Sequence, residues 1–338
     1  MAAELPTRSD KLVTVFGGSG FIGRHVVDAL ARRGYRVRVA CRRPDLAYNL
    51  QPLGRVGQIM PVQANLRFPA SIAAALREAD AVVNLVGVLN PSGAQSYEAV
   101  HVEGARAVAR AAAAVGINRI VHLSAIGADA ASDIAYARTK GQAEQAVRQA
   151  APSAIVMRPS VVFGPDDFFF NRFAELTRLL WVLPIVGQHT KMQPVFAGDV
   201  GEAVARAVEG AATPGATYEL GGPEIVTLRQ TVEWIVAEVE RRRLIAPLPE
   251  PIAAAMAWTT ETASKLTFGL FPPVFTTTRE ELALLKNDNV VSRKAQTDGR
   301  TLHDLNITPE SFRAIVPSYL WRYRRAGQFD RRPDPQNA

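Results

Sequence analysis

The chain has 338 residues, 48% hydrophobic and 21% charged, a globular balance that excludes disordered and fibrous classes. Its net charge of +7 comes from arginines scattered until the end of the chain and no nucleic-acid motif appears, so an acidic partner or a membrane surface is expected and nucleic acid is not. The single Cys41 excludes an internal disulfide and fits a reducing compartment, and the five histidines lack ligand spacing, so no metal is expected.

Residues 1–10 lack the apolar core of a signal peptide and carry Glu4 and Asp10, so they are expected to be a flexible N-terminus. No run reaches the roughly 18 apolar residues of a membrane span. The expectation is a cytoplasmic protein or one peripheral on the cytoplasmic face of an inner membrane (the matrix side in a mitochondrion). Lys11–Phe16 is a short β-rich apolar run, the pattern of a buried parallel strand. Phe21, Ile22, Val26, Val27 and Leu30 then recur at helical spacing until Gly34, and Tyr35–Ala40 gives a second strand. Between the first strand and the helix lies Gly17-Gly18-Ser19-Gly20-Phe21-Ile22-Gly23, which completes a mononucleotide-binding unit. Gly17 makes the turn, Gly20 admits a pyrophosphate to the backbone, and Gly23 lets helix and strand pack closely. Phosphates would sit at the helix N-terminus, beside the free N–H groups of Phe21 and Ile22.

The second strand ends Val39-Ala40-Cys41-Arg42-Arg43, without the carboxylate that binds a ribose 2′-hydroxyl. Guanidinium groups suit a 2′-phosphate, which favours NADP(H) over NAD(H), unless Arg42 and Arg43 are simply solvated. Ile59–Gln63 is a third strand followed by Asn65-Leu66. A helix over 71–78 and a fourth strand over 81–88 come next, the latter ending in Val86-Gly87-Val88 where the adenine-ribose side of a dinucleotide lies. An alanine-rich helix over 97–115 and a fifth strand over 119–124 complete the alternation. The pattern predicts an α/β Rossmann fold with a doubly wound parallel sheet, over 11–165 with 194–222 returning to it. A smaller, mostly helical substrate or docking region is expected over 166–328, with a frayed tail over 329–338. Tyr136 and Lys140, four apart on a helix, share one face. A lysine ammonium there lowers the pKa of the phenol and holds a ribose, so Tyr136 could act as acid or base.

With these motifs in place, Lys11–Gly222 resembles the extended and atypical short-chain dehydrogenases/reductases, especially NAD-dependent epimerase/dehydratase-like sequences. The resemblance rests on Gly17-x-x-Gly20-x-x-Gly23, Tyr136-x-x-x-Lys140, Arg158-Pro159-Ser160-Val161-Val162-Phe163-Gly164-Pro165 after a sixth strand, and Phe196-Ala197-Gly198-Asp199-Val200 opening a later helix. It implies that Pro159 and Ser160 lie beside the nicotinamide and that Ser124 is the hydroxyl that polarises a substrate. The chain departs from the pattern in its lone Ser124 followed by Ala125, in Asn65 for the usual aspartate, and in His101 for a common asparagine. The cofactor site is thus expected to be intact and the substrate-activating site eroded.

Phe168–Pro184 and Pro251–Pro273, the latter with Ile252, Met256, Trp258, Leu266, Phe268, Leu270 and Phe271, are unusually apolar. They either line a substrate pocket or dock on a partner or bilayer. Thr276–Ser292 and the tail Pro317-Ser318-Tyr319-Leu320-Trp321-Arg322-Tyr323-Arg324-Arg325 resemble the dehydrogenase-like accessory subunit of respiratory complex I (NADH–ubiquinone oxidoreductase) and its bacterial relatives. The expected role is thus with complex I or in quinone metabolism at or near an inner membrane, and the resemblance implies a largely structural nucleotide and docking through the aromatic-arginine tail, either on an interface rim or on phospholipid headgroups, unless the tail is an ordinary solvated helix end. Two other readings stand beside it. One is a working oxidoreductase or nucleotide-sugar epimerase using Tyr136, Lys140 and Ser124; the other is a sensor of the NADPH/NADP ratio.

Overall fold

The computed structural model describes residues 10–91, 93–267 and 272–329. The expected flexible N-terminus over 1–9, the tail over 330–338, and Phe268, Leu270 and Phe271 lie outside these residues. In chain order the elements are β1 (Leu12–Phe16), α1 (Phe21–Arg32), β2 (Arg36–Cys41), β3 (Ile59–Gln63), α2 (Pro69–Leu76), β4 (Ala81–Asn84), α3 (Gly104–Ala114), β5 (Arg119–Leu123), α4 (Ala135–Ala150) and β6 (Ile155–Pro159). There follow β7 (Val162–Phe163), α5 (Phe169–Leu179), β8 (Val182–Ile185), β9 (Lys191–Met192), β10 (Val195–Phe196), α6 (Ala197–Glu209), β11 (Thr217–Leu220), β12 (Val226–Thr227), α7 (Leu228–Glu238), β13 (Leu244–Pro247) and α8 (Glu250–Leu266). Shorter helical turns complete the described residues.

The chain divides into two units. The first takes the chain up to Ser160, Ala197–Gly221 and Val291–Pro309; the second takes Val161–Phe196, Gly222–Val290 and the chain from Glu310. In the first unit, seven strands form one parallel sheet in the order β11-β6-β5-β4-β1-β2-β3. Every residue of β1 is buried, as expected of a strand covered on both faces. The chain leaves β1 for β2 and β3 on one side, then crosses to β4 on the other, which makes the gap between β1 and β4 the switch point where such sheets bind ligands. Helices α2, α3 and α4 bury Ile72, Leu76, Val108, Ala112 and Val147 on one face of the sheet. Helix α6 packs against α1 so closely that a Cβ on Gly201 would meet the His25 backbone at 2.7 Å.

Three differences from the sequence expectation bear on the site. β4 ends at Asn84 rather than Val88, because the Asn84 Oδ1 accepts the Val86 N–H at 3.2 Å and turns the chain out of the sheet. The helix expected from Tyr97 opens instead as a π-helical turn over Glu98–Glu103. Arg158 and Pro159 belong to β6 itself rather than following it.

The second unit holds three two-stranded pairs, β7 with β10, β9 with β12 and β8 with β13. Its core is aromatic: Phe163, Phe170 and Phe312 are buried, with Trp234 and Phe312 edge to face at 5.0 Å. Asp167 is buried at the start of α5. Its Oδ1 accepts the Phe170 N–H at 2.6 Å and its Oδ2 accepts the Tyr319 hydroxyl at 2.6 Å. The C-terminal aromatic-arginine segment is therefore turned partly inward. Tyr319 and Leu320 are buried and Arg324 pairs with Glu238, while Trp321, Arg322 and Arg325 stay exposed. The apolar segment over 168–184 is divided in the same way, with Phe170, Ala174 and Leu183 buried and Phe168, Leu179, Trp181 and Val182 exposed.

Candidate nucleotide site

The glycine turn joins β1 to α1 as a loop held by its own backbone. The Gly20 N–H donates to the Gly17 carbonyl at 3.0 Å, and Gly17 has φ +79°, a conformation that side chains resist. A Cβ on Gly23 would lie 2.3 Å from the Gly17 oxygen and 2.7 Å from the Gly18 carbonyl carbon, so only glycine fits there. Gly20 is the N-cap of α1, with no side-chain cap and no carboxylate in the first turn. The Phe21 and Ile22 N–H groups at the positive end of the helix are thus left for an anion.

At the end of β2 the two arginines differ. Both are exposed, but the Arg43 guanidinium is held by Asp45 at 2.8 Å, which raises its pKa, while no ion pair among the described residues involves Arg42. Cys41 is buried beside Ser19, and burial pushes its thiol up. After β3, the Asn65 Oδ1 accepts the Arg67 N–H at 3.1 Å, so that side chain shapes its own turn. Leu66 packs under Gly104, where a Cβ would meet its Cδ1 at 2.9 Å. Val86 leans against Gly17, and Gly87 faces α4: a Cβ on Gly87 would sit 3.3 Å from the Lys140 Nζ and 3.6 Å from the His101 Nε2.

Gly87, His101, Tyr136 and Lys140 thus come together, with Ser124 next in the chain to the Leu123 carbonyl that Lys140 meets. The Lys140 Nζ donates to the Leu123 carbonyl at 3.3 Å and lies 5.9 Å from the Tyr136 ring centroid. Burial lowers the pKa of Lys140 to about 8, against which Glu144 raises it. The sequence expectation for Tyr136 needs correction. Its phenol is pushed up to about 12 by burial, rather than down by the neighbouring ammonium. Ser124 is buried, and its Oγ has no hydrogen-bond partner among the described residues.

Two histidines complete the cluster, one of which sequence reasoning saw only as a departure and the other not at all. His101, carried by the π-helical turn, is buried. The Thr139 hydroxyl donates to the Ala135 carbonyl at 2.8 Å and so accepts from the His101 Nδ1 at 3.0 Å. That assigns the proton to Nδ1 and leaves Nε2 to accept the Val88 N–H at 3.1 Å. His101 therefore ties the loop after β4 to α4. Burial first, then Lys140, hold its pKa down at about 3, so it is neutral. His122 is the penultimate residue of β5, two before Ser124. It too is lowered to about 3 by burial and Lys140, its Nδ1 is 3.4 Å from the Asn84 Nδ2, and its Nε2 is buried without a partner. The alternation of polar residues in His122-Leu123-Ser124 was the available signal.

Beneath this cluster Glu144, one helical turn after Lys140, is buried and takes a bidentate pair from Arg158, both contacts at 2.8 Å, plus Arg148 at 3.3 Å. This pair fixes α4 against β6. Pro159 and Ser160 follow at the end of β6: the Pro159 carbonyl accepts the Ile126 N–H at 3.0 Å, and the Ser160 N–H donates to Leu220 at 2.9 Å. The residues present fit a dinucleotide: a cradle that a Cβ would fill at Gly23, an uncapped helix end, and unpartnered buried polar atoms on Ser124 and His122 beyond it.

Residues 9–257 match the model of the NmrA-like family. The chain is 31% identical over 320 residues to the mitochondrial 40 kDa subunit of NADH-ubiquinone oxidoreductase of Neurospora crassa, covering 95% of this chain and 81% of that one. It is 31% identical over 195 residues to a ceramide reductase of Caulobacter vibrioides, covering 58% and 60%. The fold is shared with the NADPH-dependent quinone oxidoreductase QOR2 of Escherichia coli, solved with NADPH, at a TM-score of 0.68 and 18% identity over 91% of this chain and 99% of that one. The chain therefore belongs to the NmrA-like family and is a homologue of the 40 kDa subunit of respiratory complex I.

Proposed function

We propose that this protein is an accessory subunit of complex I, or a close associate of it, peripheral on an inner membrane, with NADP(H) bound chiefly as a structural element. What carries the reading is similarity along nearly the whole chain, including the C-terminal part with no chemistry of its own, to a subunit named for that complex. Gly17, Gly20, Phe21, Ile22 and Gly23 would hold the pyrophosphate, and Arg42, with no ion-pair partner among the described residues, would meet a 2′-phosphate. Val86 and Gly87 would flank the ribose side, and Lys140, Pro159 and Ser160 the nicotinamide side. Ligand at about a hundred times its dissociation constant adds roughly 2.7 kcal/mol to stability, a sufficient reason to keep the site without turnover.

A second reading, an NADP-dependent reductase, is favoured by the unpartnered Ser124 hydroxyl, next in the chain to the Leu123 carbonyl that Lys140 meets, by the contact of Lys140 with Tyr136 and by the similarity to a protein named a reductase. A bound nicotinamide would supply the hydride. Ser124 would then donate a hydrogen bond to a carbonyl oxygen, and the protonated Tyr136, with its raised pKa, would deliver a proton to it.

The test is gentle solubilisation of native membranes, sizing, and assay of released nucleotide. Co-migration with complex I and unreacted NADPH near one per chain supports the first reading. A free protein that turns over NADPH with an acceptor, and stops on Tyr136→Phe, replaces it with the second. Arg42→Ala is expected to weaken NADPH binding about tenfold and leave NADH unchanged.

A further inference from the structure

A second surface, in the unit that lacks the glycine turn, joins exposed apolar side chains to clustered arginines. Trp181 is 76% exposed and Leu244 72%, with Leu179 at 50% and Val182 at 46%. They are held by structure rather than by chance. β8 and β13 run side by side with Val182 opposite Leu244, and the Leu244 N–H donates to the Trp181 carbonyl at 3.1 Å. The strand alternates, so Leu183 and Ile185 fill the core while Val182 faces outward.

Arg178 is exposed directly before Leu179, Arg241–Arg243 lead into β13 with Arg242 exposed, and the charges of Arg178, Arg243 and Arg325 all act on Arg241. The Arg243 guanidinium lies 4.6 Å from the Trp181 ring centroid, and its Nε donates to the Thr177 carbonyl at 2.7 Å. Arg241 donates to the Tyr323 carbonyl at 3.2 and 3.1 Å. Burial lowers its pKa, and the charges of Arg243, Arg178 and Arg325 lower it further. The acid that faces it is Glu175, which Arg178 engages at 3.1 Å. Guanidinium groups repel one another, and such a concentration is relieved by an anionic surface. A tryptophan and aliphatic side chains on the same face add what an isolated phosphate does not use: an apolar layer just below the charges.

We propose that the face formed by Leu179, Trp181, Val182 and Leu244 with Arg178, Arg242 and Arg243 docks on an anionic phospholipid bilayer. The apolar side chains enter the acyl boundary and the arginines meet headgroup phosphates. This inference rests on the peripheral location proposed above and names the face that makes it.

The experiment is co-sedimentation of the full chain with phosphatidylcholine vesicles, with and without a phosphatidylglycerol fraction. Binding is expected only with phosphatidylglycerol, and it should fall with salt. Arg178→Glu with Arg242→Glu, both at exposed guanidinium groups, should weaken it by more than about tenfold, since each arginine near such a surface contributes about fivefold. Trp181→Ser with Leu244→Ser should weaken it by a similar factor. Trp181→Phe, which keeps the apolar bulk, should retain binding but lose most of the quenching of tryptophan fluorescence by brominated lipid. Equal binding to neutral vesicles, no binding to either, or variants without effect would overturn the proposal. Loss of complex I co-migration in these variants without any vesicle binding would also overturn it and assign the face to a protein partner. A chain that binds vesicles but never co-migrates with the complex supports this inference and removes the subunit reading.

Discussion

The two units differ in how completely they satisfy the polar groups they bury. In the second unit they are satisfied: Asp167 accepts from Tyr319, Gly164, Phe170 and Asn171, and Arg324 pairs with Glu238. In the first unit Lys140 lies buried against a backbone carbonyl, and the Ser124 Oγ and His122 Nε2 have no partner among the described residues. A satisfied network costs little and specifies a packing. An unsatisfied one costs stability in the free protein, and such a cost collects where a ligand binds. The aromatic unit is thus built for its own stability, whereas the glycine-turn unit keeps polarity for something added.

The largest expected effect breaks the first unit at its tightest backbone contact. Gly23→Ala forces a Cβ to 2.3 Å from the Gly17 oxygen and 2.7 Å from the Gly18 backbone, which cannot swing aside as a side chain would. Nucleotide should be absent from the purified variant, and chemical unfolding should show a loss of at least about 3 kcal/mol. A variant that retains both would mean that the turn is not the binding element.

Next in size is a change of opposite sign. The pKa of Lys140 is about 8 in the fold against an ordinary 10.5. Between these values the unfolded chain binds more protons, so stability rises with pH across that window and the cost of burying the ammonium is fully present below it. Lys140→Met should stabilise the nucleotide-free protein at neutral pH by about 3 kcal/mol while weakening nucleotide binding. Urea unfolding of stripped protein, variant against parent, checks this. A destabilised variant would show that the lysine is compensated after all.

Acid sharpens the comparison further. His101 and His122 are held near 3 in the fold, from an ordinary 6.5. Their neutral forms keep the protein stable above that ordinary value, and stability is lost as the pH falls toward 3. At about pH 5 each histidine should cost about 2 kcal/mol. His122→Gln should flatten the dependence by one histidine's share whatever its stability at neutral pH. An unchanged slope would place the acid sensitivity elsewhere.

How much of this was legible follows from distance along the chain. The β1–turn–α1 unit is local: strand pattern, glycine spacing and helix repeat all lie within Leu12–Gly34, and each level agreed with the others. The end of β4 was misjudged because Leu85-Val86-Gly87-Val88 continues an apolar run, and only the side chain of Asn84 shows where it turns. Glu144 with Arg158, His101 with Thr139, and Gly201 with His25 join residues far apart in sequence. No spacing rule reaches them. The pKa of Tyr136 was misjudged for a related reason, since a helical repeat brings Lys140 near but says nothing of how much water is excluded.

The smallest effect tests whether the two units are distinct in kind. Tyr319→Phe removes one hydroxyl, the donor at 2.6 Å to the Asp167 Oδ2. The carboxylate keeps the N–H groups of Gly164, Phe170 and Asn171, and its pKa, already raised by burial, loses the hydrogen bond that opposed that rise. The ring still fills its place in the aromatic core, so the cost should be limited to the unmet hydrogen bond, about 1–3 kcal/mol in unfolding experiments. Nucleotide content should not change, because the network touches none of the residues from Gly17 to Ser160 that form the candidate site. If nucleotide were lost in proportion to stability, the satisfied network would be part of what holds the ligand. Compensated and uncompensated burial would then no longer separate structure from function in this chain.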